Sequence, residues 1–320
     1  MVSAVIFVAT SCVSPLTGFA FWETNLAYEG ESIYNYLQVK NLSDRTILST
    51  NVLFGVQSVT MKDKGLTGMY YDTALAAPAL ADNANSALIL GMGTGTYARQ
   101  LKQYYPKMNI TGVEIDQKIT DLAGEYFDEP ADIPVTTYDG RAWLAASHDK
   151  YDVIMVDAYQ DITVPFQMSS TEFFTMVREH LNPGGVMVVN MNMISDGQGS
   201  INEALSDTIA SVFGNGNTLT ADVPNTTNRE LFAKKPGSGS EENSMQQASK
   251  ALNLRETTYE RTGSEDLEWY MEEVASRFRK VNEPDSASTI LTDDKAPVEV
   301  LGMHAIDQII ADEALSLIHI

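Results

Sequence analysis

The run Ala87-Leu-Ile-Leu-Gly-Met-Gly-Thr-Gly-Thr96 decides the fold class. Four apolar residues, short enough for a strand, lead into three alternating glycines, and a helical pattern follows over Thr96–Tyr105. Glycines at a strand-to-helix joint let the backbone turn tightly and approach a ligand closely. A dinucleotide fingerprint places its third glycine five residues after the first, where this chain has Thr96. The loop therefore reads as a ligand cradle of another kind, or as a turn and nothing more.

Outward from this loop the pattern alternates. Further strands are predicted at Ile110–Glu114, Pro134–Tyr138, Tyr151–Asp157 and Gly185–Met191. Helices are predicted at Gln117–Phe127, Arg141–Ser147, Ser170–Leu181 and Ile201–Phe213. Such alternation implies βαβ units and a parallel sheet. Leu88-Ile-Leu90 and Val153-Ile-Met-Val156 are continuously apolar, as burial on both faces demands. Thr218–Val223 and Arg229–Lys234 read as a hairpin that closes the sheet. The expected fold is α/β: a doubly wound, mostly parallel, seven-stranded Rossmann-like sheet of the methyltransferase type. A small antiparallel β unit over residues 31–65 precedes it. The expected organisation is a hydrophobic segment at 1–22, that β unit, an α/β catalytic domain at 66–235, a polar linker at 236–249 and a helical extension at 250–320. Thr258–Lys280 is predicted as one final helix.

Composition narrows the function. The 320 residues carry a formal net charge of -22, which repels phosphate backbones and argues against nucleic acid as a partner. The same charge attracts polycations. A single cysteine, Cys12, excludes a disulfide framework and a thiolate cluster, and the four histidines show no ligand spacing, so no metal is expected. Residues 1–22 contain no charged side chain, long enough at ~1.5 Å per residue to cross a ~30 Å bilayer core. They read as a membrane-embedded segment with the catalytic domain on the cytoplasmic side; the alternative is a soluble cytoplasmic protein.

Two acids at strand ends add chemistry to the glycine loop. Glu114 closes the second strand, where a carboxylate accepts hydrogen bonds from both ribose hydroxyls of a nucleoside. Asp139-Gly140 closes the third, where an acid can accept from an adenine amino group. Either acid can equally cap the helix that follows it. Three such features in order, each on its own strand end, favour a nucleoside site at the switch point of the sheet.

At this point the sequence resembles the spermidine synthase (polyamine aminopropyltransferase) family, in a divergent, membrane-linked form. The resemblance rests on Ser32-Ile-Tyr-Asn35, Gly55-Val-Gln57, Tyr70-Tyr-Asp72, Gly91-Met-Gly-Thr-Gly95, Val113-Glu-Ile-Asp116, Asp139-Gly140, Tyr151–Asp157, and Ser170–Phe174 leading to Leu181–Gly185. It implies a co-substrate, decarboxylated S-adenosylmethionine, that gives an aminopropyl group to a small amine or polyamine. It implies that Glu114 holds the ribose and Asp139 the adenine, with Asn35, Gly91, Gly93, Thr94, Gly95 and Gly140 completing the donor site. Asp157 takes the family's place for the base, supported by Tyr70 and Asp161, while Gln57, Tyr71, Asp72, Tyr159 and Gln160 line the acceptor side. A homodimer through the sheet and N-terminal unit is also implied.

Four positions depart from the family pattern. Thr94 replaces an aspartate that grips the donor's terminal ammonium, and Gln160 replaces a second acid, with Asp161 next to it. Asn35 replaces a glutamine, and Tyr71-Asp72 replaces a Gln/His-Glu pair. Because threonine tolerates an intact donor carboxylate, methyl transfer from S-adenosylmethionine to a small acceptor is the second reading. A non-catalytic module that binds nucleoside or polyamine is the third. Aminopropyl transfer ranks first, since the β unit and Tyr70–Asp72 belong to the family's acceptor side.

Overall fold

The computed structural model describes residues 20, 23–51, 56–159, 164–192, 199–237, 254–285, 288–305 and 307. Two sheets organise them. Strands β1 (Leu26–Glu31), β2 (Tyr36–Asn41), β3 (Arg45–Thr50) and β4 (Ser58–Met61) form an antiparallel meander in chain order. The sequence reading began this unit's first strand at Ser32. In the structure, β1 precedes it, and Ser32–Asn35 is the turn between β1 and β2. Ser32 Oγ accepts from the amides of Tyr34 and Asn35 and so closes the turn. Leu26–Glu31 was missed because its LAYEGE alternation is weak and only half-buried.

Next come two short helices, α1 (Tyr70–Ala74) and α2 (Ala76–Leu80), and then the alternating part. It runs β5 (Ser86–Leu90), α3 (Thr96–Tyr104), β6 (Asn109–Glu114), α4 (Gln117–Tyr126), β7 (Val135–Thr137), α5 (Gly140–Ala146), β8 (Tyr151–Val156), α6 (Thr171–His180), β9 (Leu181–Met191) and α7 (Ile201–Phe213). The hairpin β10 (Thr218–Asp222) and β11 (Arg229–Lys234) follows, then α8 (Leu254–Thr262), α9 (Glu265–Ser276) and the two-residue β12 (Arg279–Lys280). The large sheet has the order β12-β10-β11-β9-β8-β5-β6-β7. β6, β7, β8 and β9 run parallel to β5, and β11 returns antiparallel to β9. The expected seven strands are present, and β12 adds an eighth at the edge. Thr258–Lys280 is not one helix. Gly263, at φ +66°, ends α8, and the Ser264 side chain caps the N-terminus of α9 by accepting from Leu267 N.

Both faces of the sheet are covered, which explains the unbroken apolar strands. Ile89, Val153, Met155 and Val188 face a core shared with α1, α2, α3 and α9. Leu88, Leu90, Ile154 and Val189 face Leu144 of α5 and Phe173, Phe174 and Val177 of α6. Full burial of each such side chain contributes ~1.5–3 kcal/mol. A third core joins the meander to the large domain: Leu37, Val39 and Leu48 pack on Ile119, Leu122 and Phe127 at α4. That contact holds the meander over the carboxyl ends of β5 and β6. The chain order reverses between β5–β6–β7 and β8–β9, so a crevice opens there.

Candidate active site

A cavity of about 410 Å³ fills this crevice. Its floor is Gly91, Met92 and Gly93 after β5, Glu114 at the end of β6, Asp139 and Gly140 after β7, and Asp157, Ala158 and Tyr159 after β8. The meander supplies its roof through Asn35, Leu48, Thr50, Asn51, Gln57 and Ser58, and α1 contributes Tyr70 and Tyr71.

The glycine loop approaches the end of β8 more closely than a side chain allows. Gly91 has φ +90°, and a Cβ placed on it would lie 2.4 Å from the carbonyl oxygen of Asp157. The amides of Gly91 and Met92 both donate to Val113 O, at 2.9 and 3.0 Å, which ties the loop to β6. Glu114 completes the tie. Its Oε2 accepts from Gly93 N at 2.8 Å and its Oε1 from Asp116 N at 3.0 Å. Burial pushes the Glu114 carboxyl above its ordinary range, and the backbone donors pull it back down. A carboxylate held by one bond per oxygen keeps lone pairs for a ligand in the cavity.

Asp139 caps α5 by accepting from Ala142 N at 2.7 Å, and it also lines the cavity. At Asp116, one oxygen caps α4 through Lys118 N. Its other oxygen accepts from Ser32 Oγ at 2.5 Å and Asn35 Nδ2 at 3.0 Å. This carboxylate therefore fastens the β1–β2 turn to the mouth of the cavity, a role the sequence reading did not give it.

Asp157 is the acid at the carboxyl end of β8. Tyr70 Oη donates to its Oδ2 at 2.7 Å and Asn190 Nδ2 to its Oδ1 at 3.0 Å. Burial raises the carboxyl to about 7, against the pull of these two donors, and the charge of Glu114 raises it further. Burial and the Asp157 charge keep the Tyr70 phenol protonated. The Tyr70 and Tyr71 rings lie 4.0 Å apart, and Tyr71 Oη donates to Gln57 O at 2.7 Å. Tyr159 Oη donates to Asn190 O and accepts from Asn192 N at 2.8 Å. Asn190 was missed, although a polar residue ending the apolar run Met187-Val-Val at a strand's carboxyl end is a legible signal.

Three expected site residues do not reach the cavity. Asp72 is fully buried, and its carboxylate accepts from Thr67 N, Thr67 Oγ1, Gly68 N and Gln100 Nε2. It shapes the entry to α1 instead of facing an acceptor. Thr94 is also fully buried, behind the loop, and its carbonyl is held by Arg99 Nη1 at 2.8 Å. Gly95, at φ +78°, is the N-cap of α3 and lies away from the cavity, next to Glu129. Gln160 and Asp161 lie outside the described residues.

The model of the spermine/spermidine synthase domain matches residues 69–235, more than half of the chain.

The chain belongs to the spermine/spermidine synthase family.

A protein of Bifidobacterium longum (strain NCC 2705) named "Probable polyamine aminopropyl transferase" is 99% identical over 314 residues, covering 98% of this chain and 70% of that protein. The crystal structure of a probable spermidine synthase from Corynebacterium glutamicum superposes with a TM-score of 0.58 at 22% identity, over 83% of this chain and 99% of that one. That of spermidine synthase from Thermotoga maritima gives 0.60 at 18%, over 81% and 85%. At those identities the two structures speak for the fold alone. The comparisons carry the family, but not the narrower expectation of a divergent, membrane-linked type. Residues 1–22 lie outside the described residues apart from Ala20. Among the described residues, no helix is long and apolar enough to cross a membrane.

Proposed function

We infer that the chain is a polyamine aminopropyltransferase that uses Asp157 as its base. The observation that carries this reading is the half-buried Asp157 carboxyl, raised to about 7, in a cavity that it shares with the glycine loop and Glu114. An alkylamine arrives mostly as ammonium, since free amines of this type hold their proton to pH ~10. A carboxylate with an affinity near neutrality takes that proton far better than an ordinary aspartate does. The freed lone pair then attacks the carbon beside the donor's sulfonium. The new carbon–nitrogen bond forms in line as the carbon–sulfur bond breaks, and the neutral thioether leaves with the bonding electrons. The donor is decarboxylated S-adenosylmethionine, its ribose on Glu114 and its adenine between Asp139 and the mouth of the cavity.

The case for methyl transfer rested on Thr94 tolerating a donor carboxylate. A fully buried Thr94 neither grips nor repels the donor, so that argument loses its force. Two further elements rest on the sequence alone: a membrane segment at residues 1–22, and a homodimer through the sheet and N-terminal unit.

The test is turnover of the purified chain with decarboxylated and intact S-adenosylmethionine, each with a diamine acceptor. Thioether release only with the decarboxylated donor is expected. Methylated product from the intact donor would overturn the reading.

A further inference from the structure

The segment Leu291-Thr-Asp-Asp-Lys-Ala-Pro-Val298 lies far along the chain from the central strands, and the chemistry above does not use it. Its two apolar ends are fully buried. Leu291 and Val298 belong to the core shared by α5, α6 and α7, and Leu291 N donates to Thr208 Oγ1 of α7 at 2.9 Å. Between them Thr292 and Lys295 exchange both backbone bonds, at 3.0 and 2.9 Å, which closes a two-residue loop. Buried ends and a tight loop fix the place of Asp293, the first loop residue.

Asp293 fastens three pieces of chain. Arg141 of α5 donates from Nη1 to its Oδ1 at 2.7 Å and from Nη2 to its Oδ2 at 2.6 Å. This is the fork geometry that fits a carboxylate. Arg141 Nη1 also donates to Gln167 O at 2.7 Å. Ser170 Oγ, which caps α6 by accepting from Phe173 N, donates to Asp293 Oδ1 at 2.5 Å. Arg141 first, and Ser170 after it, pull the Asp293 carboxyl below its ordinary range, so it is ionised at neutral pH. The ion pair is partly exposed, and a pair so placed contributes little to stability. What it fixes is geometry.

Two of the three pieces line the cavity. Asp139 and Gly140 immediately precede Arg141, while Gln167 and Met168 belong to the 3-10 turn Phe166–Met168. They meet there: a Cβ placed on Gly140 would lie 3.5 Å from Met168 Cε. Arg141 thus ties the wall at Gln167 to the helix start at Asp139, and the fork on Asp293 holds the planar guanidinium where it reaches Gln167 O.

We propose that Asp293 is a positioning residue for the nucleoside end of the cavity, acting through Arg141 on the wall at Gln167 and Met168. The donor's adenine stands beside Asp139 under the aminopropyl-transfer reading, on which this inference rests. Asp157 belongs to another strand end and keeps its own partners, so the defect of an Asp293 variant falls on donor binding and not on proton transfer.

The test uses wild type, Asp293→Asn and Asp293→Ala of the full chain. Steady-state turnover with decarboxylated S-adenosylmethionine and a four-carbon diamine stands beside calorimetric titration with 5′-methylthioadenosine. That thioether nucleoside is uncharged, so its affinity reports the wall and not the pull of an acidic side chain on a cationic donor. Both variants are expected to raise the donor KM and to weaken nucleoside binding by about fivefold or more, with kcat and the diamine KM within about twofold of wild type. Asp293→Asn keeps the shape of the side chain and an acceptor for Ser170, so it carries the test if the alanine variant does not fold. Arg141→Lys keeps the charge without the fork, and its donor defect is expected not to add to that of Asp293→Asn. A folded Asp293→Asn protein with wild-type nucleoside affinity overturns the inference alone. Equal losses toward donor and diamine also overturn it, since a merely structural residue would produce them. A wild type that binds no nucleoside overturns the donor placement and this inference with it.

Discussion

Tyr70 Oη lies 2.7 Å from Asp157 Oδ2, a bond from the helix under the meander to the end of the central strand β8. Asp157 accepts a proton only when ionised, so activity should rise with pH through about 7 and level off above it. The Tyr70 hydrogen bond favours the ionised form. Tyr70→Phe removes it, and a hydrogen bond to a charged group is worth ~1.5–3 kcal/mol. The acidic limb of the kcat/KM profile should therefore move up by ~1–2 pH units. The loss should be large at pH 6 and small at pH 9. An equal loss at every pH would mean that Tyr70 only orients Asp157.

Asp157→Asn should abolish turnover while leaving nucleoside affinity unchanged. The same variant tests the carboxyl's raised proton affinity through stability. The unfolded chain loses the Asp157 proton near pH 3.8, whereas the folded chain keeps it to about 7. Between these values the folded state binds more protons, so this group makes stability fall as pH rises, with a slope approaching ~1.4 kcal/mol per pH unit. Denaturant unfolding from pH 4 to pH 7 should show a flatter dependence in Asp157→Asn than in wild type. Parallel curves would place Asp157 in a more solvated setting than the structure gives.

How much of this was legible beforehand varies with the kind of signal. Each central strand announced itself, because β5 and β8 are buried on both faces and their apolar runs are unbroken. The strand-end position of Glu114, Asp139 and Asp157 followed directly, and all three line one cavity. Side-chain direction was not legible. Asp72 sits beside Tyr70 and Tyr71 in the sequence, yet the tight turn into α1 sends its carboxylate to the amides of Thr67 and Gly68. Thr94 fails for a similar reason, since the loop lines the cavity only through Gly91, Met92 and Gly93 and turns into the interior at Thr94. Asp116 was in the quoted motif but its partners, Ser32 and Asn35, are more than eighty residues away.

Glu114 ties down the loop, and the ligand-binding role proposed for it separates from that role by substitution. Glu114→Ala should weaken nucleoside binding by ~1–3 kcal/mol, the cost of losing charge-assisted hydrogen bonds. It also frees the amides of Gly93 and Asp116, so the melting temperature should fall as well. Glu114→Gln keeps an acceptor oxygen for one amide and should retain more stability than affinity. Calorimetric titration beside thermal unfolding checks both. Unaltered affinity in Glu114→Ala would show that the ribose lies elsewhere.

Gly91→Ala should be the most damaging single methyl group in the cavity. The added Cβ falls 2.4 Å from Asp157 O, and the φ of +90° is strained for any other residue. Neither neighbour can yield cheaply. Asp157 N donates to Leu90 O at 2.9 Å, and Gly91 N donates to Val113 O at 2.9 Å, so separating the strand ends breaks a bond on either side of the loop. The expected result is a loss of several kcal/mol in stability from overpacking and backbone strain, with nucleoside binding and turnover abolished together. Met92→Leu serves as the control: it changes a neighbouring side chain in the same loop while leaving its backbone free to turn. That variant should stay within ~1.5 kcal/mol of wild type. A Gly91→Ala protein as stable as the control would mean that the close approach of β5 and β8 does not set the geometry of the site.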